Sequence, residues 1–321
     1  MRDHATLLAT SLVCEMVFGY PGILYRAIGH PVTWLGALIA ALERRLNRAT
    51  LAPGQRQGLG AVTLVLTLAA AALPALALAS LIPRWWPGSG GEILLGVIAS
   101  SLFAGRSLHR HVRAVGAGLA KGGIKGGRAA VAHIVGRDPM ALDEAGVIRA
   151  AIESLAENFS DGVIAPAVWC ALLGLPGLAL YKAANTADSM IGHRNARFAD
   201  FGRAAARFDD LVNLPAARLA ALLLALAAPM RAKAALATAL RDARHHRSPN
   251  AGWPEAAMAG ALGLRLAGPR VYDGMQVFDA WMGDGREAAN TRDLGRALAL
   301  YRRALALALA LALLLALIGR G

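Results

Sequence analysis

The chain has 321 residues, 56% of them hydrophobic and only 17% charged, yet its formal net charge is +13. Sparse charge with high apolar content excludes a disordered chain, and ordinary soluble domains sit nearer about 25% charged. An oily, basic chain is either a nucleic-acid binder or a membrane protein with basic loops; aromatics are only 6% and no basic tract interleaves with them, so the membrane is favoured and no nucleic-acid partner is expected.

In chain order, the run 5–19 holds Glu15 and lacks the charged region and cleavage site of a secretory signal. It reads as a retained membrane segment. The run 60–82 is uncharged and is followed by Trp85 and Trp86, an interfacial aromatic pair. The run 93–105 is a short span that reaches into its flanks. The run 163–181 is broken by Pro166, Pro176 and Gly177. The run 211–230 is Leu/Ala around Arg218, and 304–318 is a Leu/Ala tract. Ala and Leu dominate throughout, and no long β-branched alternation appears. The expected fold is therefore all-α, a polytopic helical integral membrane protein with about four to six membrane segments. Residues 1–321 are expected to form a single membrane-embedded domain, with 106–162 and 231–303 as cytoplasmic helical loops. Cys14 and Cys170 lie in apolar stretches with no metal-ligand spacing and read as buried, inert thiols.

The loops orient the chain. Arg44, Arg45, Arg48 and Arg56 crowd 43–56, and 106–150 and 231–303 are also rich in Lys and Arg, whereas 83–91 holds only Arg84. By the positive-inside rule the three basic stretches are cytoplasmic. Simple parity would put 182–210 outside, although it carries Lys182, Arg194, Arg197, Arg203 and Arg207. A re-entrant or broken segment at 163–181 would return it to the basic face.

The polar residues concentrate in four places. Glu153, Glu157 and Asp161 fall at i, i+4 and i+8. At ~100° per residue they share ~80° of one helix face. Three stacked anions repel unless a cation lies between them, which points to magnesium held with a nucleotide phosphate; a solvated or arginine-paired acidic face is the plainer reading. Asn185 and Asp188 share a face after an apolar segment, where they could equally cap a helix end. Asp209, Asp210 and Asn213 enter an apolar run with Arg218 deeper, and ionisable groups at membrane depth are functional candidates. Last, 248–260 is a rigid turn feeding a small-residue helix whose first turn suits Pro254 and Glu255, with capping again the simpler reading. The glycine-rich basic stretch 121–128 lacks the G-x-x-x-x-G-K-[ST] pattern and reads as a flexible loop. His109, His111, His245 and His246 make no ligand set, and no G-x-S-x-G elbow is present.

Taken together, 153–162, 185–192, 207–213 and Ser248-Pro249-Asn250-Ala251-Gly252-Trp253-Pro254-Glu255-Ala256-Ala257-Met258-Ala259-Gly260 resemble the adenosylcobinamide-phosphate synthase family, CobD/CbiB. Gly29-His30-Pro31-Val32 and Val135-Gly136-Arg137-Asp138 are similar too, so the resemblance covers nearly the whole chain in order. It departs at Gly19-Tyr20-Pro21, where the family has an acidic Gly-Asp-Pro, and at Thr33-Trp34, where a basic residue is usual. Neither position joins the candidate site.

The resemblance implies a cobalamin-biosynthesis ligase. It would join adenosylcobyric acid to aminopropanol or its phosphate, with ATP activating the carboxylate as an acyl phosphate and magnesium assisting. Glu153, Glu157 and Asp161 would hold the metal, and Glu157, Asp188, Asp209 and Asp210 would be catalytic. Arg137, Asn158, Ser160, Lys182, Asn185, Asn213, Arg218, Asn250 and Glu255 would bind ATP or substrate. The expected location is the bacterial cytoplasmic (inner) membrane, with lipid around the spans and the site facing the cytoplasm, where ATP is. Homo-oligomerisation and docking to other corrinoid-pathway enzymes are left open. Rival readings are a membrane sensor of the β-lactamase-induction type and a transporter, since broken helices with buried charge suit transport as well.

Overall fold

A computed structural model describes residues 2–136, 138–272, 275–277 and 279–319. In chain order the helices are α1 (Arg2–Phe18), α2 (Gly22–Ile28), α3 (Pro31–Leu46), α4 (Pro53–Trp85), α5 (Ser89–Ser100), α6 (Gly105–Val131), α7 (Glu144–Phe159), a wide π-turn (Ser160–Ile164), α8 (Ala165–Ile191), α9 (Arg203–Leu226), α10 (Ala232–Asp242), α11 (Gly252–Leu262) and α12 (Thr291–Ile318). Four short strands lie between α11 and α12: β1 (Leu266–Ala267), β2 (Arg270–Tyr272), β3 (Met275–Val277) and β4 (Trp281–Met282).

The expected helical membrane architecture is present. Among the described residues, the stretches Pro53–Trp85, Ser89–Val131, Glu144–Ile191 and Thr291–Ile318 are long and apolar enough to cross a membrane. Two bent pairs, His4–Phe18 with Gly22–Leu46 and Arg203–Leu226 with Pro229–His245, would raise four spans to six. The runs 5–19 and 211–230 therefore qualify only in company, because each chain bends by more than 100° (103° and 105°) where it would have to continue.

The chain divides into two compact units. The first comprises 1–104, 165–213 and 311–321. Here α1 packs on α5 and α8, and α4 packs on α8. Ile39, Leu64, Ala187, Ile191, Phe201 and Ala205 form one core cluster. The break expected within 163–181 is real but falls at Gly174 (φ +65°, ψ −152°), which favours glycine. Neither proline causes it. Pro176 sits just after it, at the start of a helical segment, where no amide donor is needed.

The arginine-rich loop after α8 is tied down. Arg197 donates two hydrogen bonds to Glu43 of α3, at 2.9 and 2.7 Å. Asn47 donates to the Arg197 carbonyl (3.0 Å) and Gln57 to Asp200 (3.0 Å). The loop 192–202 thus packs against the basic stretch 43–57, and Glu43 pairs with one of its arginines.

The second unit comprises 105–164 and 214–310. Within α6 the chain reverses at Gly123 (φ +56°, ψ −149°). Gly118 and Gly126 then meet backbone to backbone; a Cβ on Gly126 would stand 2.3 Å from the Gly118 carbonyl oxygen. The stretch 121–128 is therefore a tight helical hairpin, correcting the expected flexible loop: its glycines serve close packing. Helix α7 starts at Asp143, whose Oδ1 accepts from the Gly146 amide at 2.7 Å. It packs on α6 and α11. The four strands make two nested antiparallel pairs, Leu266–Ala267 with Trp281–Met282 and Arg270–Tyr272 with Met275–Val277. They correct the wholly helical reading of 231–303. Strands of two or three residues are too short to leave an alternating pattern.

Candidate functional site

The acidic helix α7 presents its carboxylates unequally. Glu153 is buried, and its Oε1 accepts from the Ala267 amide at 2.9 Å. Ala267 is the one non-glycine with positive φ (+61°) among the described residues. The carboxylate therefore pins a strained turn of β1. Ser154 donates to the Ile134 carbonyl (2.7 Å), and Asn158 donates back to the Ser154 carbonyl and hydroxyl (2.9 and 3.2 Å). Glu157 and Asn158 are exposed, and Asp161 is half-buried. Ser160–Ile164 is a π-turn, so the regular 3.6-residue period on which the ~80° spread was reckoned ends just before Asp161. The Ser160 hydroxyl is buried and has no hydrogen-bond partner among the described residues. No group of three or more His, Cys, Asp or Glu among the described residues could by itself hold a metal ion. Arg137 lies outside the described residues.

A second constellation in the same unit joins α9 to the turn before α11. Arg218 donates to Asn250 Oδ1 at 2.9 Å and to the Leu214 carbonyl at 3.1 Å, and its guanidinium lies 4.8 Å from the Trp253 ring centroid. Ser248 receives the amides of Asn250 and Ala251 at its hydroxyl (3.2 and 3.4 Å), folding the turn. Glu255 is 2% exposed and stands 3.6 Å from His246 Nε2. The structure so brings together Arg218 and Asn250, and sets Glu255 beside His246. It adds His246 and Trp253, which the sequence reading had not placed in the site. A histidine nine residues before its carboxylate, across a turn, leaves no periodic signal.

In the first unit α8 and α9 assemble the other predicted polar residues. Tyr181 donates its hydroxyl to Asn213 Oδ1 at 3.0 Å, and Asn213 donates to Asp209 Oδ2 at 2.9 Å. All three are buried. Asp209 Oδ1 is buried without a hydrogen-bond partner among the described residues, with Asn185 close by. Asp188 and Asp210 lie near enough for their charges to act on it. Arg194 acts on Asp210, and His193 on Asp188. This is a compact anionic cluster with two amides on its edge. Tyr181 was missed because a lone tyrosine in an apolar run reads as core. Lys182 lines a large apolar cavity of the same unit.

Comparison with known proteins now gives the chain its relatives. It is 50% identical to the cobalamin biosynthesis protein CobD of Rhodobacter capsulatus over 305 residues, 95% of each chain. It is 48% identical to that of a Sinorhizobium species over 320 residues, 97% of this chain and 98% of the relative. It is 46% identical to that of Brucella suis over 325 residues, 99% of both. No solved structure matches. The CobD/Cbib protein family matches residues 8–301, and the chain belongs to that family.

Proposed function

We propose that the chain is an ATP-dependent amide synthase of cobalamin biosynthesis, joining adenosylcobyric acid to aminopropanol or its O-phosphate. The observation that carries this reading is a set of oxygen donors around the π-turn, the exposed Glu157, the half-buried Asp161 and the buried Ser160 hydroxyl that has no hydrogen-bond partner among the described residues, in a chain whose relatives are cobalamin biosynthesis proteins. Such donors fit magnesium, which takes oxygen ligands and usually only one or two carboxylates, the rest of its shell being phosphate and water. When bound, magnesium would supply neutralisation of the triphosphate charge.

The remaining steps belong to the side chains. Arg218, held by Asn250 and Trp253, keeps further donors in one plane for a phosphate or carboxylate. A propionate oxygen of the corrinoid attacks the γ-phosphorus of ATP, ADP leaves, and an acyl phosphate forms. The amine then attacks the acyl carbon and phosphate leaves. The cluster Asp188, Asp209 and Asp210 attracts the cationic ammonium, and one of these carboxylates takes the proton that must be lost before attack. Asn185 and Asn213 orient the amine. In this reading the protein sits in the cytoplasmic membrane with its nucleotide-binding face inward. Glu153 anchors β1 behind the acidic helix rather than serving as a ligand.

The test is reconstitution. Purified protein in detergent, given adenosylcobyric acid, ATP, magnesium and aminopropanol phosphate, yields the amide and ADP in equal amounts. No amide with either form of the amine would overturn the reading.

A further inference from the structure

Within the second unit α12 runs antiparallel along α6. The Tyr301 hydroxyl donates to the Gly105 carbonyl at 2.8 Å, and a Cβ on Gly116 would stand 3.3 Å from Leu294 Cδ2. Leu108, Val112, Val115 and Leu119 are buried along one face of α6. At ~100° per residue, Arg106, Arg110 and Arg113 fall on the opposite face, and all three are exposed. Arg302 and Arg303 of α12 are exposed as well. The two sets meet. Arg113 and Arg302, one from each helix, lie near enough for their charges to act on the His109 ring, which stacks on Tyr301 with centroids 6.3 Å apart.

The two helices bring almost no anion to this patch. Helix α6 carries no acid, and α12 carries only Asp293, which is buried and pairs with Arg286 and Arg296. Among the described residues Arg110, Arg113, Arg302 and Arg303 form no ion pair. Cations gathered on one surface repel, and a layer of anions removes that cost. Position says where the layer comes from. Directly after Arg303, α12 becomes the uncharged tract 304–318 of a helix long and apolar enough to cross a membrane. Arg302 and Arg303 therefore stand at its polar end, at the level of the lipid headgroups. The bond between Tyr301 and Gly105 sets the start of α6 at that same level. A soluble anion would compete there with the phosphates of the bilayer itself.

We propose that Arg110, Arg113, Arg302 and Arg303 form a docking surface for the phosphates of anionic membrane phospholipids. The site is independent of the ligase reading and is tested by binding alone. The full-length protein, purified and delipidated in detergent, is titrated with phosphatidylglycerol, with phosphatidylcholine of the same chains, and with inorganic phosphate, and adducts are counted by native mass spectrometry. An arginine at an anionic lipid surface adds about fivefold in affinity, so phosphatidylglycerol binds about tenfold or more tighter than phosphatidylcholine. Arg110→Gln with Arg113→Gln, and Arg302→Gln with Arg303→Gln, each cut that preference severalfold. The four together remove it, and lysine at all four positions keeps it. The positions are exposed, so melting in detergent is nearly unchanged. Lys233→Gln with Arg244→Gln, which removes two exposed charges elsewhere in the same unit, leaves the preference intact. Equal binding of the two lipids, an unchanged preference in the fourfold glutamine variant, an equal loss in the Lys233 and Arg244 pair, or displacement of phosphatidylglycerol by equimolar inorganic phosphate each overturns the proposal.

Discussion

The two acidic regions of this protein hold their carboxylates in opposite ways. On α7 the carboxylates are separated by environment: Glu153 is buried and bound to the Ala267 amide, while Glu157, one turn on, is exposed. On α8 and α9 they are gathered: Asp188, Asp209 and Asp210 act on one another, and Asp209 is held by an amide that Tyr181 holds in turn. In the first region a backbone amide engages the buried carboxylate, and its neighbour one turn on stands at the surface. In the second, carboxylates are kept together, with Arg194 acting on Asp210 and His193 on Asp188 at the edge. On the proposed reading the first arrangement receives a metal–phosphate ligand and the second an ammonium.

The largest effect that sharpens this contrast is expected at Glu157. Glu157→Gln removes an exposed charge and should lower turnover by about 10²–10⁴-fold with little change in thermal stability. Amide yield and melting in detergent check both halves, and full activity would remove Glu157 from the site. Glu153→Ala should show the reverse balance. It strips the Ala267 amide of its acceptor at a strained residue, costing about 1–3 kcal/mol of stability. Unfolding midpoints of the two variants should therefore separate, and equal midpoints would erase the contrast within α7. A smaller effect follows at Arg218→Lys. Lysine cannot reproduce the planar fork that meets Asn250 and stacks on Trp253, a loss of about 0.5–2 kcal/mol read as a raised KM for ATP with kcat nearly kept.

The helical membrane fold was legible because its signals are long: an uncharged run such as 60–82 admits few alternatives. The site was legible as an inventory of residues and much less as geometry. Spacing put Glu153, Glu157 and Asp161 on one face, but a π-turn at Ser160–Ile164 is invisible to a 3.6-residue period. Spacing also could not show that a β-turn 114 residues away would claim Glu153. The glycines at 118–126 misled for a related reason. Glycine marks both flexible loops and tight backbone contacts, and only the packing partner decides which. His246 beside Glu255 and Tyr181 above Asn213 depend on chain segments meeting across turns and helices, so no local pattern records them.

The finest probe of the contrast is Tyr181→Phe. The hydroxyl is the only atom removed, and the ring keeps its buried position. Asn213 Oδ1 loses its donor in an apolar interior, a cost of about 1 kcal/mol. The functional consequence is relayed. Asn213 is fixed at both ends, accepting from Tyr181 and donating to Asp209. With one end free the amide can rotate, and Asp209 loses the donor that sets its orientation among Asp188 and Asp210. If the cluster acts as a unit on the amine, Tyr181→Phe raises KM for aminopropanol phosphate severalfold while KM for ATP stays put. Glu157→Gln, in the other region, lowers turnover without that bias. A variant with unaltered amine KM but lowered stability would show that the Tyr181–Asn213–Asp209 chain holds helices together and does not tune the anionic cluster.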